Sequence, residues 1–108
     1  MNDVLEELYA VALERRQNPK EGSYTCYLFD KGLDKILKKV GEEASETIIA
    51  AKNGVKEDTV GEISDLLYHL VIMMANEDIT PADVKAELGR RHQKEGNLKK
   101  FHQVDKNT

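Results

Sequence analysis

The sequence predicts an all-α protein whose helices pack as a four-helix bundle. Its 108 residues suffice for one domain with a sizeable core. The composition favours helices over strands, since 40% of the residues are hydrophobic, Trp is absent and only two are Pro. Apolar residues also recur at helical spacing in four stretches. We therefore expect a single domain over residues 1–97, followed by a weakly ordered tail over residues 98–108.

The first predicted helix begins near Asp3, a residue type suited to capping, and ends by Asn18 because the following proline disfavours helical backbone before it. Its predicted apolar face comprises Val4, Leu5, Leu8, Val11 and Ala12. Residues 19–27 predict a polar loop that turns at Gly22. A short helical turn from Leu28 is expected to follow.

The second predicted helix covers residues 33–52 and ends at the Asn-Gly pair 53–54, which favours a left-handed stop. The third covers residues 57–77 and is apolar nearly all round, so it should be buried nearly all round. Four helices of one small chain would leave part of this surface exposed. We therefore expect a homodimer or a higher homo-oligomer.

The fourth predicted helix has a consistent start signal. Thr80 is suited to the N-cap, Pro81 to the first helical position, and Asp83 to the first turn. The apolar residues expected on its packing face are Val84, Ala86 and Leu88.

Charge and composition narrow the function classes. The net charge of −4 argues against a general nucleic-acid-binding protein. A single cysteine, Cys26, excludes an internal disulfide and a cysteine-based zinc site. The longest apolar run, residues 63–75, falls short of the ~20 residues that span a bilayer. With no recognisable leader segment, we expect a cytoplasmic protein that does not bind membranes.

Two acidic pairs are the main functional signal. Glu43 and Glu46 lie three positions apart in the second helix, as do Glu62 and Asp65 in the third. Residues at this spacing share a helix face, so two such helices facing each other would bring four carboxylates together. Like charges this close require a cation or protonation, which suggests a hard divalent ion such as Mg²⁺. Mg²⁺ often completes its coordination with phosphate oxygens, which suggests a nucleotide substrate.

Other interpretations of these residues stay open at this point. The glutamates of the second helix, Glu42 included, could be solvent-facing partners of Lys38 and Lys39. Asp65 lies on the most apolar helix, so a lysine, a hydroxyl or a shared metal should pair with it. His69 is better explained as a hydrogen-bonded core histidine than as a Mg²⁺ ligand.

Residues 38–46 and 62–70 resemble the EExxE and ExxD signature of the all-α, MazG-like nucleotide pyrophosphohydrolases. Within that superfamily the sequence is most similar to the phosphoribosyl-ATP pyrophosphatases of histidine biosynthesis. The segments that resemble phosphoribosyl-ATP pyrophosphatases more than other members of the superfamily are residues 22–37, 50–53 and 88–92.

The resemblance implies Mg²⁺-dependent hydrolysis of the α,β-phosphoanhydride of phosphoribosyl-ATP to phosphoribosyl-AMP and pyrophosphate, by a helical dimer. The implied metal ligands are Glu43, Glu46, Glu62 and Asp65. Glu42 would be a further ligand or the group that orients water, which puts it with Glu43 and Glu46 in the catalytic set. The implied substrate-binding residues are Ser23, Tyr24, Thr25, Lys35, Lys38, Lys39 and Arg91.

Two alternatives remain beside this interpretation. One is a MazG-like enzyme that hydrolyses ordinary nucleoside triphosphates as a house-cleaning function. The other is a helical dimerisation or adaptor protein whose acidic residues are merely solvated. The resemblance includes no cyclohydrolase domain, so we expect a stand-alone enzyme.

Overall fold

A computed structural model describes residues 3–93, and all the regular structure in that range is α-helical. The all-α prediction is confirmed, with five helices in the described range where four were expected. None of the five is long and apolar enough to cross a membrane. The tail predicted over 98–108 lies outside the described residues. The helices are α1 (Val4–Gln17), α2 (Tyr24–Lys31), α3 (Leu33–Asn53), α4 (Lys56–Asn76) and α5 (Pro81–Gln93).

Helix α1 begins and ends where the sequence predicts. The Asp3 carboxylate accepts a hydrogen bond from the Glu6 amide at 2.9 Å, and the Glu6 carboxylate accepts one from the Asp3 amide at 3.0 Å. This reciprocal capping box satisfies amides that have no partner within the helix. At the other end Asn18 is the C-cap, and its amide donates to the Glu14 carbonyl at 2.8 Å.

The packing face of α1 differs from the predicted one. Val4 and Val11 are 65% and 49% exposed, whereas Tyr9 and Ala12 belong to the core. The Tyr9 ring offers more apolar area than either valine. Burying this ring rotates α1 about its axis, so that the face containing Tyr9 packs against the core and the two valines face solvent. The partly buried residues that complete this stripe are Leu5, Leu8 and Leu13.

The predicted polar loop over residues 19–27 is wrong in its second half, where α2 begins at Tyr24. The turn at Gly22 is confirmed, because its φ of 82° is a left-handed conformation that glycine adopts without strain. The Ser23 hydroxyl then accepts a hydrogen bond from the amide three residues later at 3.1 Å and caps the helix. Burial of Leu28, which is fully enclosed, fixes α2 against the core.

Helices α3 and α4 form an antiparallel hairpin that is the centre of the fold. They are joined by a two-residue turn, in which Gly54 has the predicted left-handed conformation with a φ of 80°. Helix α2 packs against α1, α3 and α4, while α1 also packs against α4. The buried core that joins these four helices comprises Tyr9, Ala12, Leu28, Ile36, Val71, Ile72 and Ala75.

The expectation that the third predicted helix is buried nearly all round is wrong within one chain. Ile63 and Leu67 of α4 are 42% and 40% exposed, and Val60 is 53% exposed. On α3, Leu37 and Ile48 are likewise exposed. The reason is that α1 and α2 cover only part of the hairpin, so apolar faces of both long helices stay open to solvent.

Helix α5 begins as predicted, with reciprocal hydrogen bonds between Thr80 and Asp83 at 2.9 and 3.1 Å. It packs against α1, where the Lys85 ammonium lies 2.7 Å from Asp3 and 3.3 Å from Glu6. Its predicted apolar face is not buried in the single chain, because Val84 and Leu88 are 40% and 59% exposed. Charge pairing therefore contributes to holding α5 against α1.

Candidate functional site

Three of the predicted carboxylates meet between the two long helices. Glu43 comes from α3, and Glu62 and Asp65 come from α4. One carboxylate oxygen from each lies within 4.8 Å of the others. The three differ in exposure, since Glu43 is 7% exposed, Glu62 is half-buried and Asp65 is exposed. The structure thus brings three of the four predicted carboxylates together, from both helices.

Asp65 lies on the most apolar helix, but its position there does not bury it. Asp65 is exposed, and Glu43 is the carboxylate that the fold encloses. The reason is the orientation of α4, whose buried face near the site carries His69 and, further along, Ile72. The residue that most needs a counter-charge therefore lies on α3.

The register of the two helices at the site is fixed by Thr47. Its hydroxyl oxygen lies 2.7 Å from the Glu43 carbonyl on its own helix and 3.2 Å from the Glu62 carbonyl on the other. A single hydroxyl hydrogen is shared between these two acceptors. The sequence places Thr47 only in an apolar stripe, so its linking role emerges from the tertiary structure.

Two buried carboxylate oxygens at the site lack a hydrogen-bond partner, one on Glu43 and one on Glu62. Such an oxygen costs free energy unless something compensates it. Burial raises the pKa of Glu62, and hydrogen bonding and charge from Glu46, then the charges of Asp65 and Glu43, raise it further. The site therefore carries more negative charge than its protein surroundings neutralise.

A divalent cation fits this arrangement. Carboxylate oxygens are the protein ligands that Mg²⁺ prefers, and Mg²⁺ bonds them at about 2.1 Å. Two ligand oxygens on opposite sides of the ion are therefore about 4.2 Å apart, which is comparable with the 4.8 Å within which the three carboxylate oxygens lie. A bound cation would also satisfy the two unpartnered oxygens.

Glu46 adjoins this group without belonging to the three closest carboxylates. It lines a cavity of about 470 Å³ with Glu62 and Asp65. Its influence on the pKa of Glu62 also indicates that the two carboxyl groups are near each other. Other residues lining the cavity are Ile49, Ala50, Asn53, Glu57, Asp58 and Gly61.

Lys39 supplies the nearest positive charge. Its ammonium lies 3.3 Å from Glu42 and 3.6 Å from Glu43, so the ion pairs considered for this segment form at Lys39. Hydrogen bonding to Glu42 raises the pKa of Lys39, partial burial opposes this, and the charges of Glu42 and Glu43 raise the pKa further. Glu42 is otherwise exposed, as is Lys38.

An aromatic cluster connects α2 to α4 next to these charges. The Tyr24 hydroxyl lies 2.9 Å from Nε2 of His69, and the Thr25 hydroxyl is hydrogen-bonded to that of Tyr68. The rings of Tyr24 and Tyr68 are stacked with centroids 6.2 Å apart. His69 is 5% exposed and hydrogen-bonded through both ring nitrogens, which confirms the interpretation as a core histidine. Tyr68 was not singled out from sequence, although a tyrosine beside Asp65 in an apolar helix is a usable signal.

The remaining predicted substrate-binding residues lie on other elements. Ser23 caps α2, and the Lys35 ammonium lies 5.9 Å from the centre of the Tyr27 ring. Arg91 lies on α5 and binds the Glu87 carboxylate at 2.9 Å. Their contact with a substrate stays a prediction.

Comparison with known proteins identifies the family of this chain. Residues 5–92 match the sequence profile of the family described as phosphoribosyl-ATP pyrophosphohydrolase. The chain is 55% identical over 97 residues to the phosphoribosyl-ATP pyrophosphatase of Clostridium novyi, covering 90% of this chain and 88% of that protein. It is 57% identical over 95 residues to that of Streptococcus thermophilus, covering 88% of this chain and 91% of the relative.

A longer relative also matches. The histidine biosynthesis bifunctional protein of Lactococcus lactis is 50% identical over 101 residues, which cover 94% of this chain and 48% of that protein. These matches confirm the resemblance inferred from the acidic motifs. The chain belongs to the phosphoribosyl-ATP pyrophosphohydrolase family.

Proposed function

We propose that this protein hydrolyses the α,β-phosphoanhydride of phosphoribosyl-ATP, yielding phosphoribosyl-AMP and pyrophosphate, in an early step of histidine biosynthesis. Family membership and the names of its relatives support this substrate. The observation that carries the chemistry is the group of three carboxylates that contains two buried oxygens without hydrogen-bond partners. Such a group suits Mg²⁺ bound to the phosphates of a nucleotide.

Glu43, Glu62 and Asp65 would hold Mg²⁺, with Glu46 reaching the site from the shared cavity. When bound, Mg²⁺ polarises phosphate oxygens and neutralises the charge that develops as the anhydride breaks. Glu42 is exposed and is the residue next to Glu43 on α3, which suits its carboxylate to accept a proton from the attacking water. That water forms the new P–O bond, and the electron pair of the broken bond leaves with pyrophosphate.

The cationic and hydroxyl groups around the carboxylates would bind the rest of the nucleotide. The ammonium of Lys39 is charged at neutral pH, as in an ordinary lysine, and hydrogen bonding to Glu42 raises its pKa further, which suits it to phosphate oxygens. Lys38 lies one residue away on the exposed surface of α3. We assign the remaining substrate contacts to Ser23, Tyr24, Thr25, Lys35 and Arg91.

We further propose that the protein acts as a homodimer in the cytoplasm. The exposed apolar faces of α3 and α4, which include Ile48, Val60 and Ile63, supply a surface for a second copy. The cytoplasmic location accords with a nucleotide substrate and a biosynthetic reaction.

The proposed activity is tested by measuring pyrophosphate release with Mg²⁺ from phosphoribosyl-ATP, ATP, dATP, dCTP and dUTP. We expect rapid release from phosphoribosyl-ATP and little from the other nucleotides. Glu43→Gln and Asp65→Asn serve as site variants, and Glu7→Gln, an exposed glutamate of α1, serves as the matched control.

Comparable turnover of ordinary triphosphates would instead assign the house-cleaning activity. Absence of turnover with any nucleotide, together with absence of Mg²⁺ binding, would favour the adaptor interpretation. Calorimetry with Mg²⁺ alone separates these two outcomes.

A further inference from the structure

The hydrogen bonds of His69 determine which of its ring nitrogens carries the proton. Its Nδ1 lies 2.7 Å from the main-chain oxygen of Asp65, one helical turn earlier. A carbonyl oxygen only accepts hydrogen bonds, so Nδ1 must donate. In a neutral imidazole the other nitrogen, Nε2, is then an acceptor.

This assignment fixes the role of the Tyr24 hydroxyl. It lies 2.9 Å from Nε2 of His69, so the phenol donates its only hydrogen to the ring. An ordinary phenol keeps its hydrogen at neutral pH, and burial raises the pKa of Tyr24 further. The phenol oxygen is left with lone pairs alone, and towards any further partner it acts as an acceptor.

The surrounding rings hold Tyr24 in this orientation. Tyr24 is stacked against Tyr68 and Tyr27, with centroids 6.2 and 6.0 Å apart. Tyr68 is itself tied to Thr25 through its hydroxyl. Tyr24 remains 44% exposed, and the charge of Lys39 is near enough to lower its pKa against the effect of burial. An accessible acceptor thus lies beside the cationic edge of the carboxylate site.

We infer that His69 is a positioning residue that makes the Tyr24 hydroxyl a hydrogen-bond acceptor, so that Tyr24 recognises a sugar hydroxyl of the substrate and not a phosphate oxygen. Phosphate oxygens are acceptors at neutral pH and offer Tyr24 nothing to bind. In a nucleotide the sugar hydroxyls are the donors nearest to the phosphates, which we assign to Lys39 and the metal. This inference rests on the proposed function, and it names the substrate group that Tyr24 contacts, which is a sugar hydroxyl.

Kinetics of Tyr24→Phe, His69→Leu and the double variant test the inference. Loss of one neutral hydrogen bond predicts that Tyr24→Phe raises KM for phosphoribosyl-ATP about two- to tenfold, with kcat and the Mg²⁺ dependence little changed. His69→Leu should raise KM when it is introduced into the wild-type protein. It should leave KM unchanged when it is introduced into the Tyr24→Phe variant. His69→Gln should recover part of the loss, because its amide oxygen can accept from Tyr24.

Inhibition by pyrophosphate separates the two kinds of contact. Pyrophosphate carries phosphate oxygens and no sugar, so Tyr24→Phe should leave its inhibition constant unchanged. Equal weakening of pyrophosphate and substrate would show that Tyr24 donates to phosphate and would overturn the inference. Additive effects of the two substitutions on KM, or an unchanged KM in Tyr24→Phe, would overturn it as well.

Nitrogen NMR of the histidine ring tests the hydrogen bonds without turnover. Nδ1 of His69 should be protonated and Nε2 unprotonated, and the Nε2 resonance should move in Tyr24→Phe. A protonated Nε2, or an Nε2 resonance insensitive to that substitution, overturns the inference whatever the substrate is. Failure of wild-type protein to hydrolyse phosphoribosyl-ATP counts against the proposed function alone.

Discussion

At the scale of single residues, Glu43 is the carboxylate on which the site most depends. It is almost fully buried, one of its oxygens has no hydrogen-bond partner, and its nearest cation is Lys39 at 3.6 Å. Removing one member of a buried ion pair is ordinarily destabilising, because the charge of the other member is left unpaired. Lys39 pairs with only one of the two Glu43 carboxylate oxygens, and the other is buried without a partner, so a cation that binds it gains binding free energy.

We predict that Glu43→Gln abolishes Mg²⁺ binding and lowers turnover at least about 100-fold, which corresponds to roughly 3 kcal/mol of transition-state stabilisation. Without Mg²⁺ the variant should be as stable as wild type or more stable, because a buried charge is removed. Isothermal calorimetry and thermal unfolding measure both effects. A variant that still binds Mg²⁺ with wild-type affinity would remove Glu43 from the ligand set.

At the scale of elements, the Thr47 hydroxyl links α3 to α4 beside the main-chain carbonyls of Glu43 and Glu62, two of the three clustered carboxylate residues. We predict that Thr47→Val, which keeps the shape but removes the hydroxyl, costs about 1 kcal/mol of unfolding free energy and weakens Mg²⁺ binding. Thr59→Val is the matched control, since the Thr59 hydroxyl bonds only the carbonyl of Val55, the N-cap residue of its own helix, at 3.2 Å. Equal effects of both substitutions on Mg²⁺ affinity would argue against a role in helix register.

The contact between α1 and α5 predicts a pH dependence. The hydrogen bond from Lys85, and then that from the Glu6 amide, lower the pKa of Asp3 from its usual 3.8. Because the carboxyl pKa is lower in the folded protein, the unfolded chain takes up a proton at a higher pH than the folded protein does. The stabilisation from this contact is therefore fully present above about pH 4 and is lost as the pH falls through the lowered pKa of Asp3.

Lys85→Met should therefore lower Tm by no more than about 5 °C near neutral pH, since the pair is exposed, and by less near pH 3. Lys52→Met, an exposed lysine on α3, provides the control. Thermal unfolding followed by circular dichroism across this pH range gives the comparison. A difference that grows on acidification would show that the Asp3 contact has no such role.

At the scale of the whole molecule, apolar side chains of α3 and α4 remain uncovered in the single chain. Ile48 is 64% exposed and Val60 is 53% exposed, although both belong to helical stripes of apolar residues. Exposed apolar area of this kind marks an interaction surface. We expect two copies to associate through these helices.

If two copies associate as proposed, Ile48→Glu should convert the dimer to monomers, because it would bury an unpaired charge in the proposed interface. Leu88→Glu is the control, since Leu88 is similarly exposed, at 59%, but lies on α5. Sedimentation velocity reports the mass, and circular dichroism confirms that each variant is folded. Retention of the dimer in Ile48→Glu and its loss in Leu88→Glu would place the interface on α5.

Most helix limits follow from local chemistry that the sequence displays. Asp3, Thr80 and Gly54 cap or stop helices through contacts within a few residues, so their positions are readable without the fold. Helix α2 is predicted only in its second half, as the helical turn expected from Leu28, whereas the sequence predicts its first turn as part of a loop because that turn follows a polar, glycine-containing segment. Its stability comes from the Ser23 cap together with the burial of Leu28 against other helices.

The sequence by itself determined the all-α class, the family and the candidate carboxylates, because periodicity, capping and motif spacing are local properties. Only the tertiary structure decided that Glu43 and not Asp65 is buried, that Thr47 ties the two helices together, and that Tyr24 meets His69. These facts depend on how α2, α3 and α4 are rotated about their axes. That rotation is set by burial of the shared core, to which residues far apart in the chain contribute.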